Sequence, residues 1–206
     1  VKGMTGLNYL MLQRSRVTDG GLKHLTGLNH LTLLNVSDLA ITDDGLRALS
    51  GLTRLHSLHM SGTRVTGDGF RHLGALTELR DVSLVLCPVT ADGLKRVAAF
   101  PKMGALLISF TPVGDTELEL LADCPALETL LLINTRVTDE GLTRLAKLSR
   151  LSYLDVHKTK VTAPGVTAFA KMSPITRVVW DGGVIEPTTN SDRKAAEWVL
   201  SIGRAV

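Results

Sequence analysis

The sequence is poor in aromatic residues and in cysteine, and both shortages restrict what it can encode. Aromatic side chains make up 4% of the 206 residues, so the 44% of hydrophobic residues must bury surface mainly through leucine and valine. Cys87 and Cys124 are the only cysteines, too few for a disulfide-rich secreted scaffold and without the C-x-x-C spacing of a zinc or redox site. We therefore expect a reducing, cytoplasmic location.

Long apolar runs and a strong net charge are also missing. A transmembrane helix needs about 18 or more consecutive apolar residues, and the sequence contains no such run. The start of the chain at Val1 lacks the basic stub and apolar stretch of a signal peptide. The formal net charge of +3 is too small to indicate nucleic-acid or membrane binding by itself.

What the sequence does contain is a repeat of 24 residues. The phrase VTDGGL, which begins at Val17, recurs in altered form without any insertion. The later copies begin at Ile41, Val65, Val89, Val113, Val137, Val161 and Ile185. An uninterrupted period of this length indicates one solenoid and not two globular domains.

Each repeat predicts a short strand followed by a short helix. Leu10 and Leu12 recur two residues apart, the spacing of a strand whose two leucines point inward. Thr18 and its equivalents offer a hydroxyl N-cap, and the leucines from Leu22 onward follow at helical spacing. The glycine register that begins at Gly21 lets each helix approach its neighbour closely.

The pattern L-x-x-L-x-L, formed by Leu7, Leu10 and Leu12, resembles the leucine-rich repeat. Ser, Thr or Cys in the register of Ser15, together with V-T-D-x-G-L, looks like the ribonuclease-inhibitor-like and cysteine-containing subclasses and like long bacterial arrays. The resemblance covers residues 1–186. It implies an α/β, right-handed solenoid with a curved parallel sheet on its concave face and short helices on its convex face.

Several positions depart from this pattern and suggest local irregularity. In the fifth repeat, Gly114 and Glu117 replace the capping threonine and the glycine. Val1 falls in an inward helix register, so we expect the chain to begin inside a repeat of a longer protein. Residues 187–206 predict a C-terminal helix with Trp198 on its apolar side, which is either a cap over the last repeat or a linker to further repeats.

Motifs for catalysis, cofactors or metals do not occur. The phosphate loop, the G-x-S-x-G elbow and the H-E-x-x-H zinc motif are absent, and the six histidines lack partners at metal-ligand spacing. Asp155 and His157, with Asp181 on the next strand, could form an acid–base pair, but the sequence supplies neither a nucleophile nor an enclosing pocket. We therefore predict a protein that is not an enzyme and uses no cofactor and no metal.

The outward positions of the predicted strands are apolar in only part of the solenoid. The first three repeats place mostly polar residues there, whereas repeats four to six place large apolar residues side by side, with Asp155 and His157 at a polar rim. The apolar residues are Val85, Leu86, Leu107, Phe110, Leu131 and Ile133. An apolar centre within a polar rim is typical of a protein interface.

The sequence thus predicts non-catalytic recognition of a protein or peptide partner through the concave face. One alternative is a sensor or substrate-receptor segment of a larger multidomain protein. Self-association or a flanking domain could also cover the apolar residues. An alternative of another class is nucleic-acid binding by a convex basic register, although stacking aromatics are absent there. That register holds Lys23, Arg47, Arg71 and Lys95.

Overall fold

The computed structural model describes residues 3–188, which form one sheet with short helices packed on one of its faces. The face of the sheet that points away from the helices is called the concave face below. The predicted C-terminal helix lies outside the described residues. Within those residues, no helix is long and apolar enough to cross a membrane.

The strands lie side by side in chain order and confirm the repeat period. From β1 to β8 they pair in parallel, and each register step is one repeat, as in Leu10 opposite Leu34. The strands are β1 (Tyr9–Met11), β2 (Leu33–Asn35), β3 (Ser57–His59), β4 (Asp81–Ser83), β5 (Ala105–Leu107), β6 (Thr129–Leu131), β7 (Tyr153–Asp155), β8 (Arg177–Trp180) and β9 (Gly183–Ile185).

The helices that return the chain are short, as the leucine spacing predicts. They are α1 (Asp19–Leu22), α2 (Asp43–Leu46), α3 (Ala91–Ala98), α4 (Asp115–Glu119), α5 (Asp139–Leu145) and α6 (Ala163–Met172). Three 3₁₀ helices occupy Lys23–Leu25, Arg47–Leu49 and Asp68–His72. The central strand leucines, such as Leu34 and Leu130, are fully buried against these helices, so the core is one continuous aliphatic layer.

Most of the predicted threonine N-caps are confirmed. The side chains of Thr42, Thr90, Thr138 and Thr162 accept a hydrogen bond from a backbone N–H in the first turn of their helix. Thr18 precedes its helix without such a bond. In the third repeat the N-cap is Gly67, whose φ of 96° requires left-handed backbone geometry.

Aspartates fasten four of the described repeats to the repeat that follows. Asp43, the first residue of α2, accepts from the N–H and the hydroxyl of Thr66 at 3.0 and 2.7 Å and from the N–H of Gly69 at 2.7 Å. The equivalent pairs are Asp19 with Thr42, Asp115 with Thr138 and Asp139 with Thr162. The threonine that caps one helix is therefore held by a carboxylate from the preceding repeat, which we call the aspartate clamp.

The glycine register follows from the aspartate clamp. A Cβ atom on Gly45 would overlap the carboxylate of Asp19, and one on Gly141 would overlap that of Asp115. A residue without a side chain leaves room for the incoming carboxylate. The predicted close approach of neighbouring helices is thus confirmed. The preceding repeat approaches with a carboxylate at Gly45 and Gly141, and with backbone atoms at Gly69 and Gly93.

The irregular fifth repeat has a different cap and no aspartate clamp. Ala91 occupies the aspartate register of the fourth repeat and supplies no carboxylate to the fifth. The fifth repeat has neither the clamped threonine nor the glycine, and the carboxylate of Glu117 instead accepts from the N–H of Gly114 at 2.9 Å. One cap has replaced another without disturbing the sheet.

The last strand departs from the parallel pattern. β9 pairs antiparallel with β8, with Val178 opposite Ile185 and Trp180 opposite Gly183. A Cβ atom on Gly182 would overlap the ring of Trp180, and Gly183 has φ of 127°, so this tight reversal depends on two adjacent glycines. The altered repeat at Ile185 therefore forms a hairpin and not another parallel unit.

The aspartate clamp predicts a difference between two adjacent carboxylates. Asp43→Ala removes an acceptor from Thr66 and Gly69, so it should lower the free energy of unfolding by about 2 kcal/mol more than Asp44→Ala. Both residues lie in the first turn of α2, so their interactions with the helix dipole are similar. Urea denaturation followed by circular dichroism measures the difference; equal losses would contradict the clamp.

Candidate functional site

The predicted apolar residues come together on three neighbouring repeats, but their exposure differs. Leu86 is 62% exposed and Phe110 41%, whereas Leu107 is only 7% exposed because β4 and β6 flank its strand. The half-buried members are Val85, Leu131 and Ile133. Most of the accessible apolar surface therefore lies at the turns that follow β4 and β5, and little of it on Leu107.

Leu86 and Phe110 also share an unusual backbone conformation. Their φ angles are 60° and 58°, in the left-handed region that bulky residues rarely adopt. Equivalent positions in other repeats hold Asp38, Gly62 and Asn134, residue types that suit this region. Two large apolar side chains are thus held outward in a conformation that disfavours them, a common feature of binding sites.

Sequence reasoning placed these two residues on the face but missed their conformation. A sequence signal for the positive φ was present, because the register from Arg14 to Lys158 also contains Asp, Gly and Asn, the residue types that suit left-handed backbone. It becomes interpretable only when the turn geometry is known, because a positive φ cannot be read from Leu86 and Phe110 themselves.

In the third and fourth repeats, part of the concave face is a hydrogen-bonded polar surface. Ser57 donates to Asp81 at 2.7 Å, and the hydroxyls of Ser61 and Ser83 lie 2.7 Å apart. Burial raises the pKa of Asp81 despite the Ser57 hydrogen bond, and burial lowers the pKa of His59. These polar groups already satisfy one another, so they form a solvated border to the apolar residues.

The predicted rim residues Asp155 and His157 are in direct contact. His157 Nδ1 lies 2.9 Å from Asp155 Oδ1, and the same oxygen accepts from the backbone N–H of His157 at 3.0 Å. Asp155 is only 8% exposed. Asp181 does not join this pair, because its carboxylate accepts from the backbone N–H of Lys158. Within residues 3–188, the imidazole of His157 hydrogen-bonds to Asp155 alone.

The convex basic register is exposed, but it lies beside acidic residues. Arg47, Arg71 and Lys95 follow Asp44, Asp68 and Asp92 by three residues on the same helical turns. Side chains at this spacing are neighbours on a helix, so each cation lies next to an anion. This alternation weakens the positive potential that phosphate binding needs.

The two cysteines are structural. Cys87 and Cys124 are buried and unpaired with each other, and burial raises the pKa of the Cys124 thiol to about 11. Burial also raises the pKa of Cys87. In the part of the chain that the structure describes, no group of three or more His, Cys, Asp or Glu residues could hold a metal ion.

Comparisons with known proteins agree with this architecture. A family model described as "Leucine Rich repeat" matches residues 27–50. The solved structure of internalin C2 from Listeria monocytogenes is similar, with a TM-score of 0.67 and 23% identity over 85% of this chain and 71% of that chain. Internalin F from the same organism gives a TM-score of 0.52 and 20% identity over 85% of this chain and 60% of that chain. No curated protein matches by sequence.

The 24-residue period, the parallel sheet backed by short helices and these likenesses define one class of fold, the leucine-rich-repeat solenoid. The chain has the leucine-rich-repeat fold, and one of its repeats, residues 27–50, matches the family model itself. It spans less than two thirds of the internalin F structure that it resembles. Its assignment to the ribonuclease-inhibitor-like or cysteine-containing subclass stays a prediction.

The left-handed backbone at positions 86 and 110 predicts that asparagine suits the folded protein there at least as well as leucine and phenylalanine do. Because asparagine tolerates a positive φ, Leu86→Asn and Phe110→Asn should leave the free energy of unfolding unchanged or raise it by up to about 1 kcal/mol. Val85→Asn is the control, since Val85 lacks the positive φ and loses half-buried apolar surface. Urea denaturation measures all three; losses at Leu86 as large as at Val85 would contradict the interpretation.

Burial of the thiols predicts slow modification in the folded protein. With a pKa of about 11, Cys124 has about one thiolate per thousand molecules at pH 8. Ellman's reagent should therefore react slowly with the native protein and rapidly with both cysteines after urea unfolding. Fast reaction of one equivalent in the native state would show that a thiol is accessible. Single Cys87→Ala and Cys124→Ala variants identify which one.

Proposed function

We propose that the protein is a non-catalytic recognition module that binds a protein or peptide partner through the concave face at β4–β6. The proposal depends on one observation, the contiguous apolar side chains in three successive repeats, bordered by the polar hydrogen-bonded groups of the third and fourth repeats. Covering a few hundred Å² of apolar surface at about 25 cal/mol per Å² provides several kcal/mol before the costs of association.

A rigid scaffold supports this function. The strands that carry the face are paired on both sides, and one aspartate clamp, Asp115 with Thr138, ties α4 to α5 behind them. Residues fixed in advance lose little conformational freedom on binding, so more of the contact energy appears as affinity. The two exposed side chains held at positive φ are part of this preorganisation.

Catalysis is not part of the proposal. The Asp155–His157 contact orients an imidazole, but among the described residues no hydroxyl or thiol lies within hydrogen-bond distance of that ring. An acid–base pair without a nucleophile, an oxyanion site or an enclosing pocket lacks what covalent catalysis requires. We assign these two side chains to the polar rim of the interface.

The same face fits a sensor or substrate-receptor segment of a larger, cytoplasmic protein whose other domains act on what the solenoid captures. Nucleic-acid binding through Lys23, Arg47, Arg71 and Lys95 is disfavoured, because acidic residues accompany three of these four cations. The two binding surfaces lie on opposite sides of the solenoid, so a single set of variants separates them.

The proposal predicts a loss of affinity from changes on the concave face alone. Proteins retained by the immobilised wild-type chain from a cell lysate would be purified, and their Kd measured by calorimetry. The double variant Leu131→Asn, Ile133→Asn should weaken binding by about tenfold or more, equal to about 1.4 kcal/mol. The convex double variant Arg47→Asn, Lys95→Asn should bind as the wild type does.

The opposite result would contradict the concave interface. If the convex variant loses affinity and the concave variant does not, recognition takes place on the helix side, and steep salt dependence with a nucleic-acid ligand becomes the expected behaviour. Circular dichroism of each variant establishes that it has folded before its affinity is compared.

A further inference from the structure

The turns that follow the strands form one flank of the solenoid, made of two residue registers. One contains the positions with positive φ, from Arg14 to Lys158, and the other lies two residues later, from Arg16 to Lys160. Six of these positions are cationic, and Asp38, which pairs with Arg14, is the single acidic one. The cations are Arg14, Arg16, Arg64, Arg136, Lys158 and Lys160, and all of them are exposed.

The centre of this flank is apolar. Leu86 and Phe110 occupy the first register and Pro88 and Pro112 the second, and all four are exposed. We call these four residues the ridge. The preceding repeat places Arg64 beside the ridge, and the following repeat places Arg136 there. Leu86 and Phe110 are also the most exposed of the predicted partner-binding residues, so the interface extends from the concave face onto the flank.

We propose that the ridge docks an acidic, amphipathic α-helix that runs along the solenoid axis. This inference rests on the proposed recognition function and deepens it, because it names the chemistry of the partner. The helix presents a stripe of apolar side chains to Leu86, Pro88, Phe110 and Pro112, and places carboxylates at both ends of that stripe.

The spacing of the ridge favours a helix over an extended peptide. Leu86 and Phe110 are one repeat apart, a step of about 4.8 Å along the sheet. A helix places same-face residues about 5.4 Å apart, close to this step, whereas an extended strand places them about 6.7 Å apart. The N–H groups of Leu86 and Phe110 already donate to Ser109 and Ile133, so they are not available to an extended backbone. A helix satisfies its own backbone and needs only side-chain contact.

The charges on either side of the ridge favour an acidic partner. Arg64 and Arg136 are three repeats apart, about 14 Å along the solenoid. That distance corresponds to residues about ten apart on a helix, with two to three turns of apolar stripe between them. Neither arginine forms an ion pair within residues 3–188, so both can meet a partner's carboxylates.

Two other classes of anionic partner fit less well. A nucleic acid needs a continuous path of cations with aromatic side chains for stacking, and the ridge interrupts the cations with one aromatic, Phe110. A planar bilayer is too broad to enter the concave face, so it would contact the ridge and not the half-buried residues beside it. A helix about 10 Å wide also reaches the half-buried Val85 and Ile133 beside it.

The probe for this inference is a display library of random 18-residue peptides, selected on the whole wild-type chain. Counter-selection uses the double variant Leu86→Asn, Phe110→Asn, which is expected to keep its stability. Enriched peptides should carry net negative charge and apolar residues at helical spacing, become helical on binding, and lose about tenfold or more in affinity for the double variant.

A matched pair of charge variants tests the arginines. Arg64→Glu, Arg136→Glu should weaken the selected peptides by about tenfold or more. The convex control Arg47→Glu, Arg71→Glu makes the same change in net charge and should have less than about a twofold effect. Equal effects of the two pairs would overturn the inference, as would enrichment of neutral or basic peptides.

The remaining outcomes separate this inference from the proposed function. If the selected peptides bind the ridge variant but not the Leu131→Asn, Ile133→Asn variant, the inference of a helix on the ridge is wrong and recognition by the concave face is retained. Selection of no peptide sensitive to either variant overturns both. Two further outcomes apply if no acidic peptide is selected. Sedimentation with vesicles of phosphatidylcholine and phosphatidylserine that depends on the ridge would assign the flank to a membrane. Binding of single-stranded DNA that depends on the ridge would assign it to nucleic acid.

Discussion

The hydrogen bonds that a threonine of one repeat donates to an aspartate of the preceding repeat are the constraint on which the rest of the structure depends. A single repeat has an apolar stripe and cannot bury it alone, so stability comes from stacking. Stacking at one strand spacing requires that neighbouring helices keep a constant distance. The aspartate clamps set that distance on the helix side, as at Asp43 and Thr66, and backbone pairing sets it on the strand side.

A scaffold held so regularly makes local exceptions informative. Along the positive-φ register, small and polar residues fit the backbone, and Leu86 and Phe110 do not. Their exposure and their geometry both disfavour them in the isolated protein, so a gain on binding explains their presence better than stability does. The polar network of Ser57, Asp81 and its neighbours marks where the apolar surface ends.

Much of the fold could be predicted from the sequence, because a repeat presents the same signal many times. The strand and helix registers, the buried leucines and most threonine caps followed from spacing alone. The reversal at Gly182 and Gly183 could not be predicted, since the choice between a parallel and an antiparallel last strand depends on how the chain turns after Trp180. The positions of the candidate site were also readable, but the burial of Leu107 was not, because it depends on the packing of neighbouring strands.

The coupling between repeats has a consequence for the exchange of repeats. The glycine at Gly45 or Gly141 is required by a carboxylate that belongs to the unit before it, while Glu117 is tolerated because Ala91 supplies none. A unit is therefore compatible only with certain predecessors, and the period alone does not make the units interchangeable. A junction between Gly69 and Asp115 separates no clamping aspartate from the glycine of the following unit, because Gly67 and Ala91 occupy the aspartate register there. A junction within residues 19–69 or 115–165 divides at least one such pair.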